Sequence, residues 1–185
     1  TRTLLNSRVY QLSAEANDSN REDRHHFSHA SAKAMPAEVL LDAISQATGV
    51  AEKFNGWPEG YRAIQLWDNR MPSYFFRIFG RPVRYSVCEC ERGTDPSIAQ
   101  ALHLMNALEI AAKVQARSGT ARRLADSALK PEAVLDELFL SALSRRPTDA
   151  ERAKLLPAFA DGDRRAVVED VLWALLNSKE FLYNR

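Results

Sequence analysis

The sequence predicts a mainly α-helical fold: an irregular multi-helix domain with one or two short strands and a long connector near the N-terminus. Apolar residues recur at helical spacing in four separate segments, 36–48, 96–105, 131–144 and 166–176. These segments are punctuated as helices are, with proline or aspartate at the start and glycine, asparagine or proline past the end. Patterns suited to strands are confined to short stretches at 61–66 and 83–92. Two units follow: residues 1–34, the end of an upstream helix plus a polar connector, and residues 35–185, a helical domain. Within the second, 81–106 is a central stretch and 130–185 holds the C-terminal helices.

Composition narrows the functional classes. An apolar content of 45 % permits a real core and excludes a disordered chain. A formal charge of +1 gives no net attraction to nucleic acid. No apolar run approaches the roughly 20 residues of a membrane span. Two cysteines do not make a disulfide scaffold and leave the compartment open. The chain begins at Thr1 rather than Met, and a piece of a longer protein is the expectation.

Residues 1–10 read as the end of a helix, and 11–33 as a polar connector without sustained period. His25 and His29 would share a face if this segment were helical, and could then bind a metal; a solvated loop is the favoured reading. In 36–48, Val39, Leu40, Ala43, Ile44 and Ala47 form one stripe, stopped by Gly49. Residues 50–60 are a loop that Phe54 and Trp57 pin to the core. A short strand is expected at 61–66, polar turn material at 67–70 and a short aromatic helix at 72–79.

The central stretch carries the candidate site. Read as extended, 83–92 puts Arg84, Ser86, Cys88, Cys90 and Arg92 on one face, and Glu89 and Glu91 on the other. Two thiols flanked by cations can have a lowered pKa or bind a soft metal. Buried structural cysteines are the favoured reading, with a redox or disulfide pair and metal ligation left open. The residues singled out are therefore Arg84, Cys88, Glu89, Cys90, Glu91 and Arg92, with no catalytic residue, metal or cofactor assigned. Arginines here, including Arg70 and Arg81, are expected to pair with Glu89 or Glu91 and lock the strand to the next helix. That helix starts with Asp95 as its cap and Pro96 as its first residue, and buries Ile98, Ala101, Leu102 and Met105. His103 lies off the stripe, as a surface or boundary residue. A break near Asn106 is expected.

Further on, 121–128 is a short helix, and 130–144 buries Val134, Leu135, Leu138, Phe139 and Ala142. Arg145 and Arg146 complement its dipole. Thr148 and Glu151 have capping-box spacing, and Pro157 ends or kinks that helix. Asp163 opens a last helix burying Val167, Val168, Val171, Leu172 and Leu175. An internal echo links LLNSRVY at 4–10 with LLNSKEF at 175–181, and more loosely LMNALEI at 104–110. Asn and Ser after a leucine pair can redirect a helix through local backbone bonds.

These motifs together resemble a known family. FGRPVR and CECER (79–92), PSIAQALHLMN (96–106), NSRVYQLS, AEVLLDAISQATG, LFLSALSRRPTDAE and VLWALLNSKEFLYNR are similar to the C-terminal domain of unknown function of planctomycete, cytochrome-associated exported proteins. The resemblance implies a periplasmic or cell-surface location. It also implies partners among other domains of the same longer chain, a c-type cytochrome domain being one candidate. No CxxCH is present, so no haem attachment is carried over. The function expected is a non-catalytic structural or protein-interaction module. One alternative is a redox or metal-binding component using Cys88 and Cys90. Another is a saccharide or cell-wall binding module with Trp57, Tyr61 and Trp67 as stacking platforms.

Overall fold

The architecture is that of a computed structural model and is described for residues 1–23, 25–67, 72–82 and 97–184. It is mainly α. In chain order the elements are α1 (Arg2–Leu5), β1 (Lys33–Ala34), α2 (Ala37–Thr48), a 3₁₀ turn (Ala63–Gln65), α3 (Tyr74–Ile78), α4 (Ile98–Asn106) and α5 (Leu108–Val114). There follow α6 (Thr120–Ala125), α7 (Pro131–Leu143), α8 (Asp149–Leu155), α9 (Ala158–Asp161), α10 (Arg164–Leu176), α11 (Lys179–Leu182) and β2 (Tyr183–Asn184). β1 and β2 form a minimal antiparallel pair, Lys33 opposite Asn184 and Ala34 opposite Tyr183.

The core lies where α2, α6, α7 and α10 meet. Ile44, Leu124, Leu135, Leu138, Phe139, Val168, Leu172 and Leu176 are its most deeply buried large side chains. Leu135, Leu138, Phe139, Val168 and Leu172 come from the apolar stripes expected for α7 and α10. Caps set the boundaries. Pro131 occupies the first turn of α7. Thr148 and Glu151 form the expected capping box on α8, and the Asp163 carboxylate accepts from the Ala166 amide at 3.1 Å to open α10.

α2 ends at Gly49, with φ 68°. A Cβ there would lie 2.8 Å from Thr120 Oγ1, because the end of α2 abuts the start of α6. Gly49→Ala is expected to lose about 1–3 kcal/mol, from the left-handed backbone and the crowded contact together. Denaturant melts check this, and an unchanged midpoint would show that the α2–α6 approach yields freely.

Three expectations are corrected. Residues 61–66 are not a strand. The Asp42 carboxylate accepts from the amides of Ala63 (2.7 Å) and Ile64 (3.3 Å), and the Gln65 side chain accepts from the Arg62 amide (2.9 Å). Those donors are spent on a 3₁₀ turn rather than a ladder. Next, α4 starts two residues later than expected, at Ile98. Ser97 is its cap, because Ser97 and Gln100 form a reciprocal box with both bonds at 3.2 Å. Asp95 and Pro96 lie outside the described residues. Finally, the expected stripe of α4 does not join the core: Ile98, Leu102 and Met105 are exposed, and Leu104 is the buried residue of this helix. The break after Asn106 is present, with Ala107 extended between α4 and α5.

The connector has no long regular structure among its described residues. Its order comes from Asp23, whose carboxylate accepts from the amides of His25 (3.0 Å), His26 (2.8 Å) and Ser28 (3.0 Å), and from the Ser28 hydroxyl. The Ser28 hydroxyl, then the two histidine amides, hold this carboxyl far below the ordinary carboxylate range.

Candidate functional site

Arg84, Cys88, Glu89, Cys90, Glu91 and Arg92 lie outside the described residues, as do residues 68–70 of the turn expected at 67–70. The structure does describe the approach to that stretch. Its anchor is Arg81, whose side chain is only 4 % exposed. Arg81 Nε lies 3.2 Å from Glu38 Oε1 of α2. One terminal nitrogen donates to the Leu66 carbonyl at 2.7 Å, and the guanidinium lies 4.5 Å from the centre of the Phe76 ring. An arginine fork suits such a site because it stays charged and presents several fixed donors. Arg81 thus ties the edge of the central stretch to α2, while the pairing expected with Glu89 or Glu91 lies outside the described residues.

Between α2, α3 and α5 lies a cavity of about 420 Å³ lined by Glu52, Phe54, Tyr74, Phe75, Glu109 and Lys113, among others. Lys113 is buried because α5 turns it inward against the end of α2. Its ammonium lies 3.1 Å from Glu52, donates to the Val50 carbonyl at 2.8 Å and reaches Ser45 Oγ at 3.4 Å. Three partners match the three donors of the ammonium, so Lys113 ties α5 to α2 rather than offering a free amine.

His103 is a boundary residue, the inner of the two positions expected for it, with its side chain 7 % exposed. Ser97 starts the helix so that residue 103 faces α3. There the imidazole meets the rings of Tyr74 (5.4 Å), Phe75 (5.7 Å) and Phe79 (6.1 Å) edge-on. Its Nε2 lies 3.1 Å from Glu109 Oε1 but off line, and makes no hydrogen bond among the described residues. The aromatic packing thus holds the ring, with Glu109 as an ionic neighbour. No group of three or more His, Cys, Asp and Glu residues that could hold a metal ion occurs among the described residues. The backbone amides of His25 and His26 serve the Asp23 turn.

The aromatic residues weighed as stacking platforms do gather. Trp57 lies 4.9 Å from Tyr61 and 5.7 Å from Trp67, and Trp67 is exposed. The two indoles cross at 72°, so they form an edge-to-face pair rather than a flat shelf.

Two arginine nodes are not evident from the sequence. Arg164 donates to the carbonyls of Ala125 (2.9 Å), Ser127 (3.2 Å) and Leu129 (2.8 Å), closing the end of α6. Arg145 binds both oxygens of Glu151 (2.8 Å each) and both of Glu180 (2.8 and 2.7 Å). The Glu151 carboxyl is held down to about 2, first by the Arg145 guanidinium, then by the Thr148 amide and hydroxyl against the opposing effect of burial. A depressed carboxylate stabilises the fold above its ordinary pKa of 4.5 and loses that contribution as pH falls toward about 2. Glu151→Gln is accordingly expected to cost about 1–2 kcal/mol at neutral pH, reduced for the partial exposure of this pair, and almost nothing near pH 2. Melts at the two pH values check the convergence.

The chain matches the family described as PSD1, protein of unknown function (DUF1553), over residues 1–159. It belongs to that family. No curated protein and no solved structure matches it.

Proposed function

We propose that this domain is a non-catalytic structural and protein-interaction module of a larger exported, cytochrome-associated protein, located in the periplasm or at the cell surface. The observation that carries the reading is the outward apolar side of α4 and the start of α5. Ile98, Leu102 and Met105 recur at helical spacing, Leu108 follows at 85 % exposure, and Tyr74 of α3 is exposed beside them. Isolated exposed leucines need no explanation, but a run at helical spacing marks a contact surface. The occupant is an amphipathic helix of another domain of the same longer chain, offering its own apolar stripe to this one. A c-type cytochrome domain is the first partner to try.

The test is sedimentation velocity of the purified domain mixed with a c-type cytochrome domain from the same exported polypeptide. Wild type is expected to form a complex that Leu102→Asp and Leu108→Asp abolish. Both variants should melt within about 0.5 kcal/mol of wild type, since the residues are on the surface. No complex with wild type, or one indifferent to both substitutions, overturns the reading.

The exposed Trp67, supported edge-on by Trp57, favours a second reading, saccharide binding. Affinity electrophoresis through soluble polysaccharides tests it, with Trp67→Ala expected to remove any retardation.

A further inference from the structure

We infer that residues 2–10 are a second docking element, and that their partner is an apolar groove between helices, of the kind that α6 and α7 offer to residues 175–181. It deepens the interaction reading but uses residues other than those of α4.

The inference starts from the echo between LLNSRVY and LLNSKEF, which is conformational as well as textual. Asn6 and Asn177 end their helices with φ and ψ of −88° and 0°, and −92° and 0°. The asparagine amides donate to the carbonyls of Arg2 (3.0 Å) and Trp173 (3.2 Å). The serine amides donate to Leu4 and Leu175, both at 3.1 Å. The hydroxyls of Ser7 and Ser178 donate to the same two carbonyls, both at 2.7 Å. Each hydroxyl then accepts the amide three residues on, from Tyr10 (3.3 Å) and Phe181 (3.2 Å). The amides of Gln11 and Leu182 reach the carbonyls of Ser7 and Ser178, both at 3.2 Å. One helix-redirecting device is therefore built twice, and it fixes the same relative placement of two leucines and one aromatic residue.

The surroundings of the two copies differ. Leu175, Leu176 and Phe181 are buried, where α10 packs on α6 and α7, and α11 on α7. Their counterparts Leu4, Leu5 and Tyr10 are exposed, Leu4 at 70 % against 7 % for Leu175. Folding a short segment so that it presents three large apolar side chains to water is unfavourable unless another surface covers them. The buried copy shows what shape of surface does so.

The copies also differ at one informative position. Glu180 answers Arg145, whereas Val9 stands at the equivalent place in the first copy. A valine set against that guanidinium would forfeit its ion pair. The partner of residues 2–10 therefore carries an apolar residue where this domain carries Arg145. A second copy of this chain does not fit, since its groove is occupied by its own α10 and α11 and keeps its arginine.

The first experiment exchanges the motifs. Lys179→Arg, Glu180→Val and Phe181→Tyr convert the buried copy to the sequence of the exposed one, and are combined with Arg145→Leu. The triple substitution alone should lower the melting midpoint, and adding Arg145→Leu should restore some of that loss. Losses that merely add overturn the apolar-groove assignment. The second places a photoreactive benzoylphenylalanine at Tyr10 in cells making the full protein. Mass spectrometry should find the adduct on a helix of another helical module of the same polypeptide, and an adduct on a separate protein overturns the assignment. An adduct on this domain or a second copy of it, or no adduct, overturns the proposal. Leu108→Asp should leave the Tyr10 adduct unchanged, so the α4 surface and this element fail separately.

Discussion

Arg81→Met is expected to destabilise the domain by about 3–5 kcal/mol, among the largest losses for any single charged side chain here. The side chain is almost wholly buried, and it joins three regions of the molecule. Glu38 brings α2, the Leu66 carbonyl brings the end of the 3₁₀ segment, and Phe76 brings α3. Methionine keeps much of the volume and its stacking on Phe76 but removes the charge and every donor. Glu38 then loses its guanidinium contact, and the Leu66 carbonyl loses a charged donor. Arg81→Lys should fall between, since an ammonium keeps the charge without the planar fork. Urea melts of the three proteins rank them. If methionine and wild type are within about 0.5 kcal/mol, an ordinary surface effect, the three regions are held by packing alone.

Phe139→Ala is expected to cost about 3–5 kcal/mol. Phe139 is fully buried on α7 among the large side chains at the centre of the core. The Arg145 guanidinium also lies 5.4 Å from the centre of its ring. Truncation thus leaves a cavity and also removes the face on which Arg145 rests between Glu151 and Glu180. Phe139→Leu fills most of the space and should cost clearly less. The two variants separate the cavity from the cation–ring contact: if Phe139→Leu is as damaging as Phe139→Ala, the ring face matters more than the volume.

The regions of the fold that are legible in the sequence are those determined locally. α7 and α10 carry their stripe, their caps and their ends within about fifteen residues of sequence, and all three agree. α4 shows the limit of that logic. Its spacing of Ile98, Leu102 and Met105 predicts a helix correctly, but periodicity does not say on which side of the helix the protein lies. His103, which falls off the stripe, is the side chain that the α3 aromatics enclose. The 3₁₀ turn reads as a strand for a related reason, since the carboxylate that captures its amides is Asp42, 21 residues before Ala63. In the sequence Arg145 is visible only as a charge near a helix end, because one of its two carboxylates lies 35 residues further on. Of the thiol cluster singled out in the sequence, the described residues reach only its threshold at Arg81.

The pairing of β1 with β2 has a mechanical consequence. Lys33 and Asn184, one before α2 and the other after α11 in the chain, sit opposite each other. Tension applied between these residues would not reach the core first. It would load the antiparallel pair from its open end, where the backbone bonds break in succession rather than together in shear. Just inside is the Met35 amide, held by the Leu182 carbonyl at 3.2 Å. A two-residue clasp that peels in this way yields at low force. It releases the short strands and the stretch of chain before α2, while α11, held by buried Phe181 and the Glu180–Arg145 pair, stays packed with α2, α7 and α10. Under load the domain would behave as a rigid bead with a short extensible link, lengthening without unfolding.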